Sequence, residues 1–227
     1  MHFEAVWAGL PLLLSGALKT ILYAVAGYAA GLAFAMLLIV GRLAYGSAIS
    51  RPTAVFVEIV RNTPFLVQAF FLYFGLAKLG FSMSPVVAAV IIVTFNSLAY
   101  TVEILRSGLM GVPRGLIEAG ESMSFSALQM FRYVIARPML RATLPALSGQ
   151  FIIIMLNTSL LSAIAIPELT YEASNLASSS FRPFEVYVAI ALIYFTISAA
   201  FAGMFALLTR AVTGDWAKVD LARRGIL

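Results

Sequence analysis

The sequence predicts an all-α membrane protein: one domain, residues 1–227, of five transmembrane helices with a cytoplasmic loop between the third and fourth. Three observations carry this. Of the 227 residues, 62% are hydrophobic and only 11% are charged, against about 45–50% and roughly 25% in soluble domains. The apolar residues gather into runs of about 20, the length that crosses a hydrocarbon core of roughly 30 Å. The basic residues fall mostly on one side of those runs.

The spans are expected at about 17–41, 54–77, 85–106, 142–166 and 184–209. The first holds "ILYAVAGYAAGLAFAMLLIV" (Ile21 to Val40), dotted with small residues that let helices approach closely in lipid, either within the bundle or against a second subunit. The second runs from Ala54 to Ala77 with Glu58 and Arg61 near its start, the third from Pro85 to Leu105. The fourth, Leu144 to Ile166, is halted by Pro167, and the fifth covers Phe184 to Leu208. Five spans put the termini on opposite sides. With the N-terminus outside, Arg42, Arg51, Arg106, Arg114, Arg132, Arg137 and Arg141 lie inside, as does a tail with Arg210, Lys218, Arg223 and Arg224. Only Lys19, Lys78 and Arg182 remain outside, as the positive-inside rule requires.

Several classes are excluded. There is no cysteine, and the single histidine is His2, so thiolate metal sites and an imidazole proton relay are not expected. The +5 net charge is explained by orientation, so nucleic acid is not an expected partner. The N-terminal stretch lacks a basic segment and carries Glu4, so the first apolar run is expected to stay as an anchor in the membrane lipid. No glycine-rich phosphate loop is present, so no cofactor is expected on this chain.

The loop at about 107–140 contains "PRGLIEAGESMSFSALQMFRYVIARP" (Pro113 to Pro138). From Arg114 to about Met123 the residues favour helix. Ser126 with Gln129 three residues on makes a capping-box pattern, which starts a second helix with Leu128, Phe131 and Ile135 on one face. By pattern alone the hairpin either lies on its own bundle or the headgroups, or docks a partner.

This stretch resembles the EAA loop of the membrane subunits of bacterial ATP-binding-cassette importers, with Glu118-Ala119-Gly120 in the Glu-Ala-Ala place and "SALQMFRYVI" after it. "VEIVRNTPFLVQAFFLYFG", "AYTVEILRSGLMGVPRG", "NTSLLSAIAIPELT" and "FRPFEVYVAIALIYF" are similar, in order, to landmarks of the polar amino-acid permeases in that family. The resemblance implies the type I ABC importer permease fold in the bacterial inner membrane, with an EAA-type coupling helix seated on a cytoplasmic ABC ATPase dimer. ATP and Mg would be bound by that ATPase. It also implies a second permease subunit, identical or homologous, and a periplasmic or lipoprotein amino-acid-binding protein. Glu118, Ala119 and Gly120 take the coupling role, with Phe125 and Leu128 as apolar anchors. The chain departs from the family at Gly120 (generally Ala), Ser124 (Gly) and Ala136-Arg137 (Leu-Pro). Gly120 is expected to weaken its helix by about 1 kcal/mol, and Ser124 to make the bend without glycine's freedom.

Polar residues in the spans are costly and are functional candidates. Asn157, Thr158 and Ser159 are the first, Gln68, Asn96 and Ser97 the second. Each has helix-to-helix hydrogen bonding as its alternative role. Relatives often carry Asp where Asn157 stands, and the amide removes attraction for a cationic substrate. Glu58 with Arg61 and Glu103 with Arg106 have the i,i+3 spacing of intrahelical ion pairs. Glu168 is expected as a solvated carboxylate of an external helix-and-turn segment. A self-sufficient channel or secondary transporter is the alternative function. It is disfavoured by the lack of matched inverted repeats. A membrane scaffold would leave the polar fourth span and the hairpin unexplained.

Overall fold

In a computed structural model, residues 3–223 are described, with side chains as far as Val212. His2 and Arg224 lie outside the described residues, as do the side chains of Lys218 and Arg223. The described chain is helical throughout: α1 (Glu4–Tyr45), α2 (Ser47–Arg61), α3 (Phe65–Lys78), α4 (Pro85–Met110), α5 (Arg114–Ser122), α6 (Ala127–Ile164), α7 (Leu169–Ser180) and α8 (Pro183–Arg223). Four of these, α1, α4, α6 and α8, are long and apolar enough to cross a membrane. The bent pair of α2 and α3 makes a fifth.

The second apolar stretch is not the single helix its composition suggests. α2 stops at Arg61 and α3 starts at Phe65, with a bend of 108° between them. Pro64 has no N–H to donate and disfavours helical backbone at Thr63, so the helix must end there. Gln68 repairs the break, its Nε2 donating to the carbonyls of Val60 and Thr63, each at 2.8 Å.

α1 also exceeds its expected span. Its 42 residues reach about 63 Å at 1.5 Å per residue, twice the hydrocarbon core. Its N-terminal end packs Val6, Leu13 and Ala17 against Leu169 and Ala173 of α7 and Val186 and Ile190 of α8. Its central part lies along α4, where Gly27, Gly31 and Ala35 are buried. A Cβ on Gly27 would come within 2.5 Å of Val93 Cγ1, and one on Gly31 would collide with Ser97 Oγ. This small-residue seam is therefore used inside the bundle.

α6 is one helical rod with two changes of winding. A capped turn (Ala127–Gln129) leads into a π turn (Met130–Ile135), and α-helix then continues to Asn157 before tightening to 3-10 winding over Thr158–Ile164. Pro138 stands three residues past the end of the π turn at Ile135, and its missing N–H leaves the Val134 carbonyl without its ordinary partner. Left-handed Ala165 (φ 58°) and then Pro167 end the rod.

One core, on the side of the α5–α6 hairpin, gathers Ile39, Val60, Leu105, Ile135 and Met139. Tyr23, Ile92, Phe151, Ile154 and Leu161 form the second core. There Tyr28 donates to the Leu147 carbonyl at 2.8 Å and meets Phe151 edge-on. α8 is buried on little of its surface, with Leu192, Phe195 and Leu207 all exposed.

Candidate functional site

The hairpin of α5 and the start of α6 projects from the end of the bundle opposite α7. Ser126 Oγ accepts from Gln129 N at 3.4 Å, and Gln129 Oε1 accepts from Ser126 N at 2.9 Å, so the capping box is formed in both directions. Ser124 stands at φ 55°. Its N–H donates to Glu121 O at 2.8 Å, and Phe125 N donates to Gly120 O at 3.2 Å. This is a Schellman closure with serine where glycine is usual.

Gly120 is the buried residue of α5. A Cβ there would sit 2.8 Å from Met130 Cε and 3.2 Å from Val134 Cγ2. The glycine that weakens the helix by propensity thus lets it close onto α6. Glu118 and Ala119 are exposed on the other side, and the Glu118 carboxylate enters none of the ion pairs among the described residues.

The apolar anchors divide. Leu128 is 63% exposed, whereas Phe125 is half-buried and packs on the hairpin-side core. The expected common face of Leu128, Phe131 and Ile135 does not exist, because Ile135 is fully buried. The π turn inserts a residue's worth of rotation between them. Met123 and Tyr133, 66% and 65% exposed, join Leu128 as protruding apolar groups, which helical periodicity did not single out. Beneath them lies a groove of about 670 Å³ lined by Leu116, Met123, Phe125, Tyr133, Arg137 and Arg141.

The polar residues of the spans fall into two groups. Gln68, Asn96, Ser97 and Thr158 are buried. Asn96 Nδ2 donates to Gln68 Oε1 at 2.9 Å, Ser97 Oγ to the Gly27 carbonyl at 3.3 Å, and Thr158 Oγ1 back to Met155 O at 2.6 Å. Their bonding is between or within helices, apart from Asn96 Oδ1, which has no partner. Asn157 and Ser159 are only half-buried, at the point where α6 tightens. The Glu103–Arg106 pair forms bidentately at 2.6 and 2.9 Å. The expected Glu58–Arg61 pair does not form. Glu58 instead accepts from Asn62 Nδ2 at 3.2 Å, and Arg61 lies over the Tyr100 ring at 5.8 Å.

Sequence reasoning missed the polar knot at the start of α7. Glu168 is fully buried, not solvated. As N-cap of α7 it accepts from Thr170 N at 2.9 Å and Tyr171 N at 2.7 Å. Tyr194 of α8 donates to it at 2.9 Å and Thr20 of α1 at 3.4 Å. Burial pushes its carboxyl pKa up, and these donors pull it back down. Lys19 pairs with Glu172 at 2.9 Å beside it, and Tyr23 donates to the Pro167 carbonyl at 3.1 Å. The available signal was Glu168 itself, directly after a proline and before a helical stretch, where a carboxylate serves as N-cap.

Residues 27–214 match the family described as binding-protein-dependent transport system inner membrane component. The chain belongs to that family. It is 36% identical over 202 residues to the glutamine transport system permease protein GlnP of Escherichia coli (strain K12), covering 87% of this chain and 92% of that one. It is 32% identical over 215 residues to the octopine transport system permease protein OccM of Rhizobium meliloti, covering 91% and 85%. A crystal structure of an amino acid ABC transporter with histidines matches with a TM-score of 0.82 at 29% identity, covering 93% of this chain and 99% of that one. The inward-facing MetNI methionine ABC transporter, at TM-score 0.73 and 20% identity over 94% of this chain and all of that one, agrees in fold. This family member is thus a multi-pass inner-membrane permease with the type I ABC importer fold, homologous to permease subunits of amino-acid importers.

Proposed function

We propose that this chain is the permease subunit of an ATP-driven importer for polar amino acids. It forms the path with a second permease subunit, identical or homologous, and takes its cargo from a periplasmic or lipoprotein binding protein. The cytoplasmic ATPase dimer holds ATP and Mg, and this chain moves in response. The N-terminus lies outside and the C-terminus in the cytoplasm.

The observation that carries the reading is the α5–α6 hairpin. It is capped at Ser126 and sealed at Gly120, yet leaves Glu118, Met123, Leu128 and Tyr133 exposed. A rigid element with a free carboxylate and protruding apolar groups has the makings of a docked lever. Glu118 fixes register by pairing with a cation of the ATPase, and Leu128 supplies apolar contact. Phe125 supports the hairpin from within. Glu118→Lys is expected to lower substrate-stimulated ATP hydrolysis by the reconstituted complex at least about tenfold, the scale of a lost interface ion pair. Wild-type stimulation in that variant would remove Glu118 from the coupling contact.

Asn157 and Ser159, half-buried where α6 tightens, are the proposed path-lining groups. Gln68, Asn96 and Ser97 act behind them by holding helices together, and Thr158 bonds back within α6. An amide at 157 suits neutral polar amino acids. Asn157→Asp is expected to shift uptake toward arginine and lysine relative to glutamine, and an unchanged ratio would refute the assignment.

A further inference from the structure

Between the inner ends of α1, α2 and α4 lies a cavity of about 500 Å³ with walls of two kinds. Ile39, Val57 and Val102 give it an apolar side, and each is itself nearly fully buried. The rest is charged: Arg42, Arg51, Arg61 and Arg106 against Glu58 and Glu103. Four cations and two carboxylates leave a formal excess of two positive charges (4 − 2).

Those cations are not equally engaged. Arg106 is held by Glu103, and Arg61 lies over Tyr100. The side chains of Arg42 and Arg51 make no hydrogen bond or ion pair among the described residues. Arg42 lies within electrostatic reach of Glu103, yet both guanidinium groups keep their hydrogen-bond donors uncommitted and present rigid forks, the geometry that matches phosphate oxygens. Next to them on α2, Val55 and Ile59 are apolar and exposed.

We propose that this cavity binds a phosphate group, that of an anionic phospholipid of the inner leaflet, with Arg42 and Arg51 holding the phosphate. Basic pockets between helices on the cytoplasmic side have the charge that such headgroups require. The apolar wall and the exposed Val55 and Ile59 favour a lipid over free phosphate, because an inorganic ion gains nothing from them. The inner leaflet follows from the N-outside orientation, and the phosphate chemistry does not depend on it.

The test is native mass spectrometry of the full-length chain in mild detergent. Phosphatidylglycerol and phosphatidylcholine of matched acyl chains are added separately, and inorganic phosphate in excess forms a third arm. Phosphatidylglycerol is expected to be retained in preference. Arg42→Gln with Arg51→Gln is expected to weaken its retention by about 25-fold, roughly fivefold for each arginine, while phosphatidylcholine is unaffected. Arg42→Lys with Arg51→Lys is expected to keep the preference for phosphatidylglycerol but with weaker retention, because lysine supplies the charge without the fork. Equal retention by the double glutamine variant and the wild type would overturn the proposal. Glu58→Gln removes an opposing charge without touching either arginine and is expected to strengthen phosphatidylglycerol retention. No change or a fall there would also overturn it, even if the double variant does not fold. Phosphatidylglycerol displaced by inorganic phosphate, with no preference over phosphatidylcholine, would place a soluble anion in the site and refute the lipid.

Discussion

The two ends of this bundle treat polarity in opposite ways. At the α7 end Glu168 joins Thr20, Tyr194 and the backbone of α7, and a separate Lys19–Glu172 ion pair ties α1 to α7 beside it, so three helices are held by satisfied polar contacts. At the opposite end the hairpin keeps its shape by local means, a capping box and a glycine contact, and leaves Glu118 and several apolar side chains unspent. A region that completes its own bonding is built to hold still. A region that fixes its shape but not its surface is built to be held by something else.

The contrast can be broken most severely at Glu168. Glu168→Ala strips four donors of their acceptor inside a buried knot. It is expected to destabilise the detergent-solubilised protein by about 3 kcal/mol, read as a fall in thermal unfolding midpoint. A loss below about 0.5 kcal/mol would mean that water reaches the knot and that it is not a sealed latch. Next in size is Gly120→Leu, which forces a branched side chain against Met130 and Val134. It is expected to cost about 2 kcal/mol by overpacking and to weaken co-purification with the ATPase. Gly120→Ala is expected to be nearly neutral, since the tip of Met130 can yield while the helix gains about 1 kcal/mol in propensity. The smallest change sharpens the comparison. Ser124→Gly relieves a left-handed residue at φ 55° and is expected to stabilise by about 1 kcal/mol. Hydrogen exchange of the Phe125 amide should slow, and unchanged exchange would show that the closure carries no strain.

Much of this was legible because hydrophobic length and capping chemistry are local properties. The runs around Val93, Ile154 and Ile190 announce their spans, and Ser126 with Gln129 announces the hairpin's second helix. What was illegible depends on partners distant in sequence. Glu168 reads as a loop carboxylate until Thr20 and Tyr194, about 150 and 26 residues away, close over it. Correct spacing was not enough for Glu58 and Arg61, because Asn62 and Tyr100 compete for them. The bend at Pro64 was written in the sequence, but continuous hydrophobicity on both sides concealed it. The π turn in α6 has no compositional signature, so the face assigned to Leu128 and Ile135 was misplaced.

That π turn has a consequence for motion. From Ala127 to Asn157 the chain is continuous helix, about 45 Å at 1.5 Å per residue, and under the proposed coupling role a twist applied at the hairpin would pass through the π turn and Pro138 on its way to the depth of Asn157. The extra residue sets the angular phase between those two points, as the keyway sets a crank on its shaft. Removing one residue between Met130 and Ile135 would turn everything beyond it by roughly 100°, delivering the same stroke to the wrong side of the rod.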